Sequence, residues 1–267
     1  MTSARSSVKR MNLRLVSYNV LSSHVSAFFS DYCPWLLLGT HAHRNDENVC
    51  CSQQLATTSQ YPALNPDHLL KDNRLPVVLE KIESEINQHP ENTIVCLQEV
   101  SYEWAGAFHT FFANKGFHLV TGLYGKKFNG YMGVCLAWPT STFEALDVDI
   151  CRLADTREGG WPRREQTNFV SDLVKGVSSF LDNTMKQFGL KDNKEEPPDH
   201  WSLSERRFNT LLTATLREKA SGQAFAVGNY HMPCAYYCPM AMTLHADLCA
   251  RRVQSIAEKR QIPCVLA

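Results

Sequence analysis

Hydrophobic and polar positions alternate along the chain in patterns that predict a succession of strands and helices. Residues 13–18 alternate apolar and polar side chains, which predicts a half-buried strand with Asn19 at its end. After Asn73, apolar residues recur at helical spacing, at Leu75, Leu79, Ile82 and Ile86. Pro76 would then lie in the first helical turn, where its missing N–H costs little.

A short apolar run next predicts a buried strand, and a second helix follows it. The run covers residues 93–97, starts with β-branched side chains and leads into Gln98 and Glu99. Ser101 is suited to cap the following helix, and Gly116 is suited to end it. The inward side of that helix would carry Trp104, Phe108, Phe111 and Phe112.

The remainder of the chain predicts more strands and two more helices. Strand patterns occur at 117–123, 132–138, 142–150, 209–217 and 223–230. A helical stripe covers 169–188, and a later helix places Met242, Cys249, Val253 and Ile256 on one face, before a last apolar run at 262–266. Strands that alternate with helices, and then strand pairs joined by short turns, predict an α/β layered domain with mixed sheets.

The domain organisation follows from where the periodic patterns stop. Residues 1–11 are rich in serine and arginine and predict a disordered tail, and residues 12–267 predict one domain. Residues 21–66 lack a sustained period, and residues 155–200 hold the helical stripe between a loop and a polar break; both predict insertions. Long loops near strand ends often shape substrate access, which we expect of the first insertion.

Composition and charge exclude several classes of protein. Apolar residues make up 44% of the 267 positions, and the 27 basic residues balance the 27 acidic ones, so the chain is neither disordered nor collagen-like. Zero net charge argues against binding nucleic acid through a global field. No run of about 18 apolar residues would span a membrane.

The expected compartment is intracellular, most simply the cytoplasm. No apolar segment typical of a secretory signal follows Met1, although Arg5, Lys9 and Arg10 leave an organellar leader open. Several of the ten cysteines lie in apolar stretches, as free cysteines in a reducing compartment do.

Polar side chains follow three of the predicted strands. Asn19, Glu99 and His231 each lie where a core strand reaches the surface, and ligands of α/β sheets collect at strand ends. Glutamate with a nearby amide oxygen suits Mg²⁺, which keeps most of its waters. An imidazole beside a metal-bound phosphate would stabilise developing charge on a phosphate oxygen.

Other residue groups offer weaker alternatives. His231, Cys234, Cys238 and His245 are residue types that bind Zn²⁺, although their spacing departs from the usual paired motifs. Two groups combine an aromatic ring with cations, which in principle stack bases and hold phosphates. They are Trp161 with Arg163 and Arg164, and Tyr124 with Lys126 and Lys127.

Three segments resemble the motifs of one superfamily, in the same order. They are Leu15 to Leu21 (LVSYNVL), Ile94 to Val100 (IVCLQEV) and Val227 to Met232 (VGNYHM). They resemble the S-x-N-[IV]-L, [IV]-x-x-L-Q-E-V and N-x-H motifs of the endonuclease/exonuclease/phosphatase superfamily. The Asn73-Arg74-Leu75 helix start resembles the deadenylase, nocturnin and Angel branch.

The resemblance implies a fold and a chemistry. The implied fold is a DNase I-like two-sheet α/β sandwich flanked by helices. The implied reaction is hydrolysis of a phosphoester, in RNA or a nucleotide, by in-line attack of water with Mg²⁺, or with Mn²⁺ in its place. Glu99 would be the metal ligand, Asn19 would lie beside the metal, and His231 would bind the scissile phosphate. Asn229 matches the asparagine of the last motif and is carried over as a catalytic residue.

The sequence departs from the superfamily pattern after the run at 262–266. A Gly-Asp-x-Asn motif, whose aspartate orients the attacking water, would follow there, and a final Asp-His motif is also absent. We therefore expect an incomplete domain that lacks its last strands and has little or no activity. The alternatives are a catalytically dead product or binding protein, and a lipid or sugar phosphodiesterase on the same scaffold.

Overall fold

The computed structural model describes residues 11–21, 23, 70–162 and 199–267. The strands in these ranges are β1 Arg14–Asn19, β2 Thr93–Val100, β3 Phe117–Leu123, β4 Gly133–Pro139, β5 Phe143–Arg152, β6 Thr210–Glu218, β7 Ala224–Tyr230 and β8 Cys264–Leu266. The α-helices are α1 Lys71–Gln88, α2 Tyr102–Asn114, α3 His200–Glu205 and α4 Pro239–Arg260. None of these helices is both long and apolar enough to cross a membrane.

The strands form two mixed sheets of four. The first has the order β1-β2-β4-β3, with β1 parallel to β2 and the other pairs antiparallel. The second has the order β5-β6-β7-β8, with β8 parallel to β7 and the other pairs antiparallel. The first sheet uses only strands between Arg14 and Pro139, and the second uses only strands between Phe143 and Leu266.

The sheets pack face to face, and helices cover their outer faces. Alternation along β2 serves both layers, because Ile94 and Cys96 point into the space between the sheets while Val95 and Leu97 point under the helices. Helices α1 and α2 cover the first sheet, and α4 covers the second. The prediction of a two-sheet sandwich flanked by helices is therefore confirmed.

Two predictions about helix starts are wrong in detail. Helix α1 begins at Lys71, before the predicted start, because the Leu70 carbonyl accepts the N–H groups of Asn73 and Arg74; Pro76 therefore lies in the second turn. Ser101 occupies the N-cap position of α2, but its side chain makes no capping bond. Its hydroxyl instead accepts a hydrogen bond from the buried Ser23 hydroxyl at 2.8 Å.

Helix α4 buries a different set of residues from the predicted one. Cys249 and Val253 are buried as expected, whereas Met242 and Ile256 are only partly buried. The fully packed positions instead follow a spacing of four, at Ala241, His245, Cys249, Val253 and Ala257. The helical stripe at 169–188, the tail at 1–10 and most of both insertions lie outside the described residues.

A buried histidine joins α4 to α3 and β7. The Nε2 atom of His245 lies 3.0 Å from the Ser204 carbonyl oxygen, and its Nδ1 atom lies 2.6 Å from the Tyr230 hydroxyl. Because a carbonyl only accepts, Nε2 carries the hydrogen and Nδ1 accepts from the tyrosine. Burial lowers the pKa of His245, and the positive charges of Arg207 and Arg152 act in the same direction, against the bond to Ser204.

Stability should therefore fall in acid partly through His245. A histidine in the unfolded chain has a pKa near 6.5, so below that pH the unfolded state binds a proton that the folded state resists. The contribution of neutral His245 is present above this pH and is lost as the pH falls, by up to about 1.4 kcal/mol per pH unit. We expect urea unfolding between pH 7.5 and 5 to show a shallower pH dependence in His245→Gln than in the wild type.

The exposed His109 on α2 provides the matched control for this measurement. His109→Gln should leave the pH dependence of the unfolding free energy unchanged. Equal slopes for the wild type and His245→Gln would show that His245 does not contribute.

Candidate active site

Three strand ends bring Asn19, Glu99 and His231 together. Asn19 ends β1 beside Gln98 of the parallel strand β2, and His231 directly follows β7 of the other sheet. The Asn19 side-chain amide donates to Glu99 Oε1 at 2.8 Å, and His231 Nε2 lies 3.4 Å from the same oxygen. The convergence expected from the strand ends is therefore present between residues that lie far apart in the sequence.

An irregularity in the pairing of β2 with β4 places Glu99 in this position. The pairing of β2 with β4 shifts between Gln98 and Val100, so Glu99 is the extra residue of a β-bulge. Its φ angle is +62°, in the left-handed region that non-glycine residues seldom adopt. Such strain is typical of functional sites. The bulge leaves the side chain of Glu99 with 13% of its surface exposed, close to the 12% of His231.

Two residues that the sequence did not single out for this purpose orient His231. The Tyr124 hydroxyl lies 3.2 Å from His231 Nδ1, and the Asn209 amide donates to that hydroxyl at 3.3 Å and to the His231 carbonyl at 2.7 Å. Since the tyrosine oxygen accepts from Asn209, its own hydrogen is directed to Nδ1. His231 therefore carries its hydrogen on Nε2, which faces Glu99.

The surroundings favour neutral forms of both rings. Burial lowers the pKa of His231, and the negative charge of Glu99 opposes that effect. Burial also raises the pKa of Tyr124, as does the charge of Glu99. A neutral tyrosine and a neutral imidazole keep one defined hydrogen on Nε2, which can be donated to an oxygen atom of a bound molecule.

Asn229 lies beneath the cluster and not at its surface. Its side chain is fully buried between the sheets, where its amide nitrogen donates to the carbonyl oxygens of Leu97 at 3.0 Å and Cys135 at 2.7 Å. Its amide oxygen accepts from Gln98 Nε2 at 2.8 Å. The predicted catalytic residue is thus placed as a polar connection between β7 and the first sheet, next to the bulge.

The Arg74 guanidinium on α1 lies close enough to interact with the cluster. Arg74 Nη2 donates to the carbonyl of Leu21, which follows β1, and the guanidinium lies 4.8 Å from the Trp104 ring centre. Burial lowers the pKa of Arg74, and the negative charge of Glu99 opposes this. The Asn73-Arg74-Leu75 resemblance included Arg74 but did not mark it as a site residue, because its effect depends on how α1 docks against the ends of β1 and β2.

The donor chemistry of the cluster fits Mg²⁺ but not a closed metal cage. Glu99 offers a carboxylate, which suits a hard cation that retains waters and binds substrate oxygens. Asn19 turns its amide nitrogen to that carboxylate and its oxygen to the Leu21 N–H, so it lies beside the position of the ion and orients Glu99. Among the described residues no group of three or more His, Cys, Asp or Glu side chains is placed to hold a metal. The zinc alternative is wrong, because both ring nitrogens of His245 already bond to Tyr230 and Ser204.

The two aromatic and basic groups are arranged differently from the stacking hypothesis. The Tyr124 hydroxyl is engaged by His231, and Lys126 instead lies over Phe208, 4.4 Å from the ring centre. Trp161 donates through its indole N–H to the Ala154 carbonyl at 2.8 Å. Its suggested partners Arg163 and Arg164 lie outside the described residues.

Comparison with solved structures identifies similar folds. No family model and no curated protein matches the sequence. The human Nocturnin catalytic domain with bound sulfate matches with a TM-score of 0.52 and 12% identity, over 95% of this chain and 62% of that one. ANGEL2, a 2′,3′-cyclic phosphatase, matches with a TM-score of 0.51 and 17% identity, over 91% of this chain and 47% of that one.

The fold is therefore the two-sheet α/β sandwich that the sequence motifs implied, and it is similar to the folds of the Nocturnin catalytic domain and ANGEL2. The Asn73-Arg74-Leu75 helix start resembles the branch that includes these two proteins. The chain spans less than two-thirds of the length of either structure.

Replacing Asn229 should destabilise the sandwich. Asn229→Ala leaves the carbonyls of Leu97 and Cys135 without this buried donor, and we expect a loss of about 3 kcal/mol in the unfolding free energy. Asn229→Asp conserves the volume but turns a carboxyl group towards the same carbonyls, so it should destabilise at least as much. Urea unfolding measures both, and a loss below about 1 kcal/mol in both variants would contradict the bonding described.

Replacing Tyr124 should change the hydrogen position on His231. In ¹⁵N NMR spectra at pH 8, we expect the wild-type ring to be protonated on Nε2 alone, because Nδ1 accepts from the tyrosine. Tyr124→Phe removes that donor with little change in shape and should give a mixture of the two tautomers. A wild-type ring protonated on Nδ1 would contradict the assignment.

Proposed function

We propose that this chain carries a Mg²⁺-dependent phosphoester hydrolase site that acts on RNA or a nucleotide. The observation that carries the proposal is that Asn19 and His231, at strand ends of different sheets, both approach the same carboxylate oxygen of Glu99. Neighbouring polar side chains hydrogen-bond to these residues and hold their orientation. The likeness of the fold to Nocturnin and to ANGEL2, a 2′,3′-cyclic phosphatase, supports the proposal.

Glu99 would hold the metal ion, and Asn19 would lie beside it and orient the carboxylate. Bound Mg²⁺, or Mn²⁺ in its place, would supply Lewis-acid polarisation and neutralise charge on the phosphate oxygens. The bulge keeps the Glu99 carboxylate partly exposed, and the Asn19 amide nitrogen donates to one of its oxygens. The backbone N–H of Leu21 donates to Asn19 Oδ1 at 3.0 Å and fixes the plane of that amide.

His231 would bind the phosphate and stabilise the transition state. Its Nε2–H faces Glu99 Oε1 at 3.4 Å and would donate to a non-bridging oxygen of a phosphate bound beside that carboxylate, as negative charge develops there. Tyr124 and Asn209 hold the ring in that orientation from behind. Asn229 would contribute by positioning, since it fixes Gln98 next to the bulge.

An aromatic ring flanked by cations favours a nucleotide as substrate. Phe208 is 48% exposed and directly precedes Asn209, which bonds to Tyr124 and His231. Lys126 lies 4.4 Å and Arg152 lies 5.5 Å from its ring centre. A base stacks on such a ring while the cations attract phosphates. One ANGEL2 structure contains adenosine-2′,3′-vanadate, a nucleoside ligand.

A role in binding phosphoesters without efficient hydrolysis is the second candidate function. General-base assistance contributes about 10²- to 10⁴-fold to the rate of such reactions. We assign no described residue to that role, so the measured rate has to separate the two functions.

The test combines metal binding with hydrolysis. Titration calorimetry should detect Mg²⁺ binding that Glu99→Gln removes, because the amide lacks the charge that attracts the cation. Hydrolysis of a short RNA and of adenosine 2′,3′-cyclic phosphate should require Mg²⁺ and fall by about 10²-fold or more in Glu99→Gln. The exposed Glu258 on α4 is the matched control, and Glu258→Gln should change neither result.

Each outcome distinguishes one function. Metal and RNA binding without hydrolysis would favour the binding protein. Faster hydrolysis of a phospholipid headgroup or a sugar phosphate would favour the lipid or sugar phosphodiesterase. Hydrolysis that persists in Glu99→Gln would contradict the proposed site.

A further inference from the structure

We infer that Arg74 is a positioning residue that holds the end of β1 and the Glu99 carboxylate in the geometry that binds the metal ion. The inference rests on the proposed function, because it assigns Arg74 to the same site. Arg74 lies on α1, between the turn after β1 and the start of α2.

A series of hydrogen bonds connects Arg74 with Glu99. Arg74 Nη2 donates to the Leu21 carbonyl, and the Leu21 N–H donates to Asn19 Oδ1 at 3.0 Å. The Asn19 amide nitrogen then donates to Glu99 Oε1 at 2.8 Å. Leu21 has a φ angle of +57°, so its turn is held in an unfavourable conformation. Releasing the Leu21 carbonyl would therefore free the turn at Leu21, whose N–H fixes Asn19.

The cost of placing Arg74 here indicates a function. Its Nε and Nη1 atoms are shielded from solvent and have no hydrogen-bond partner in the part of the chain that the structure describes. Unmatched buried donors are unfavourable, and a methionine or leucine would cover the Trp104 ring without that cost. The guanidinium provides two things that an apolar side chain lacks, the bond to Leu21 and a positive charge that interacts with Glu99.

Charge and position have opposite effects on metal affinity. A positive charge near Glu99 repels a cation, so removing it would by itself tighten Mg²⁺ binding. Loss of the bond to Leu21 would disorder Asn19 and Glu99 and weaken Mg²⁺ binding, as the loss of groups that orient ligands does. The direction of the change therefore separates a positioning residue from a nearby charge.

Arg14 offers a matched control, because it also joins β1 to α1 but at the opposite end. Arg14 Nη1 donates to the Glu85 carbonyl at 2.6 Å, and Nη2 contacts the Glu85 carboxylate and Gln88 Oε1. Arg14→Met should lower stability without an effect on the site.

The first experiment is calorimetric titration with Mg²⁺. We expect Arg74→Met to bind Mg²⁺ about tenfold more weakly than the wild type. Arg74→Lys, which keeps the charge and one donor, should recover most of the affinity, and Arg14→Met should match the wild type. Unchanged or tighter binding in Arg74→Met would overturn the inference. If Arg74→Met does not fold, a clear loss of affinity in Arg74→Gln decides in its place.

The second experiment needs no metal. The side-chain amide signals of Asn19 in ¹⁵N NMR spectra should shift and broaden in Arg74→Met and stay in place in Arg14→Met. Amide signals that are identical in the wild type and Arg74→Met would overturn the inference. If the wild type binds no Mg²⁺, the proposed metal site fails, and the Asn19 signals still decide whether Arg74 positions this residue.

Discussion

The site depends on the left-handed conformation of one residue, Glu99. In a regular strand residue 99 would share the face of Val95 and Leu97, which pack under α1 and α2. The bulge turns its carboxylate out of that apolar layer, so a charge avoids burial and becomes a possible ligand. Gly133 pairs with Val100 just after the bulge and also lets β3 approach β4 closely, since a Cβ atom there would lie 2.1 Å from the Gly122 carbonyl oxygen.

A buried polar contact then joins this bulge to the second sheet. Asn229 satisfies two carbonyls of the first sheet and holds Gln98, so the packing of the sheets and the position of the bulge are coupled. Two other hydrogen bonds also join different elements at the site. Tyr124, which follows β3, bonds to His231, which follows β7, and Arg74 of α1 bonds to the turn after β1. Bonds between different elements thus orient each residue that would contact metal or phosphate.

The elements and the convergence of Asn19, Glu99 and His231 were predictable from sequence, but the residues that orient them were not. Alternating and helical periods fixed the strands to within a few residues, and polar residues after core strands pointed to Asn19, Glu99 and His231. Asn229 belongs to the same motif, yet its burial depends on how the sheets dock. The sequence suggested Tyr124 only as a stacking residue. It does not show that the residue after β3 contacts the residue after β7. The sequence does not reveal the bulge at Glu99, because a left-handed residue is normally expected at glycine and this position holds a glutamate.

The arrangement of the sheets has a consequence for how the site assembles. Every described strand up to Pro139 belongs to one sheet and every later strand to the other, and the short link between Pro139 and Phe143 joins them directly. Asn19 and Glu99 come from the first half of the chain and His231 from the second. A folding intermediate with one formed sheet would therefore contain only part of the ligand set. Ligand binding would therefore report whether the two sheets have docked. The link between β4 and β5 is also the natural place to divide the protein for fragment complementation.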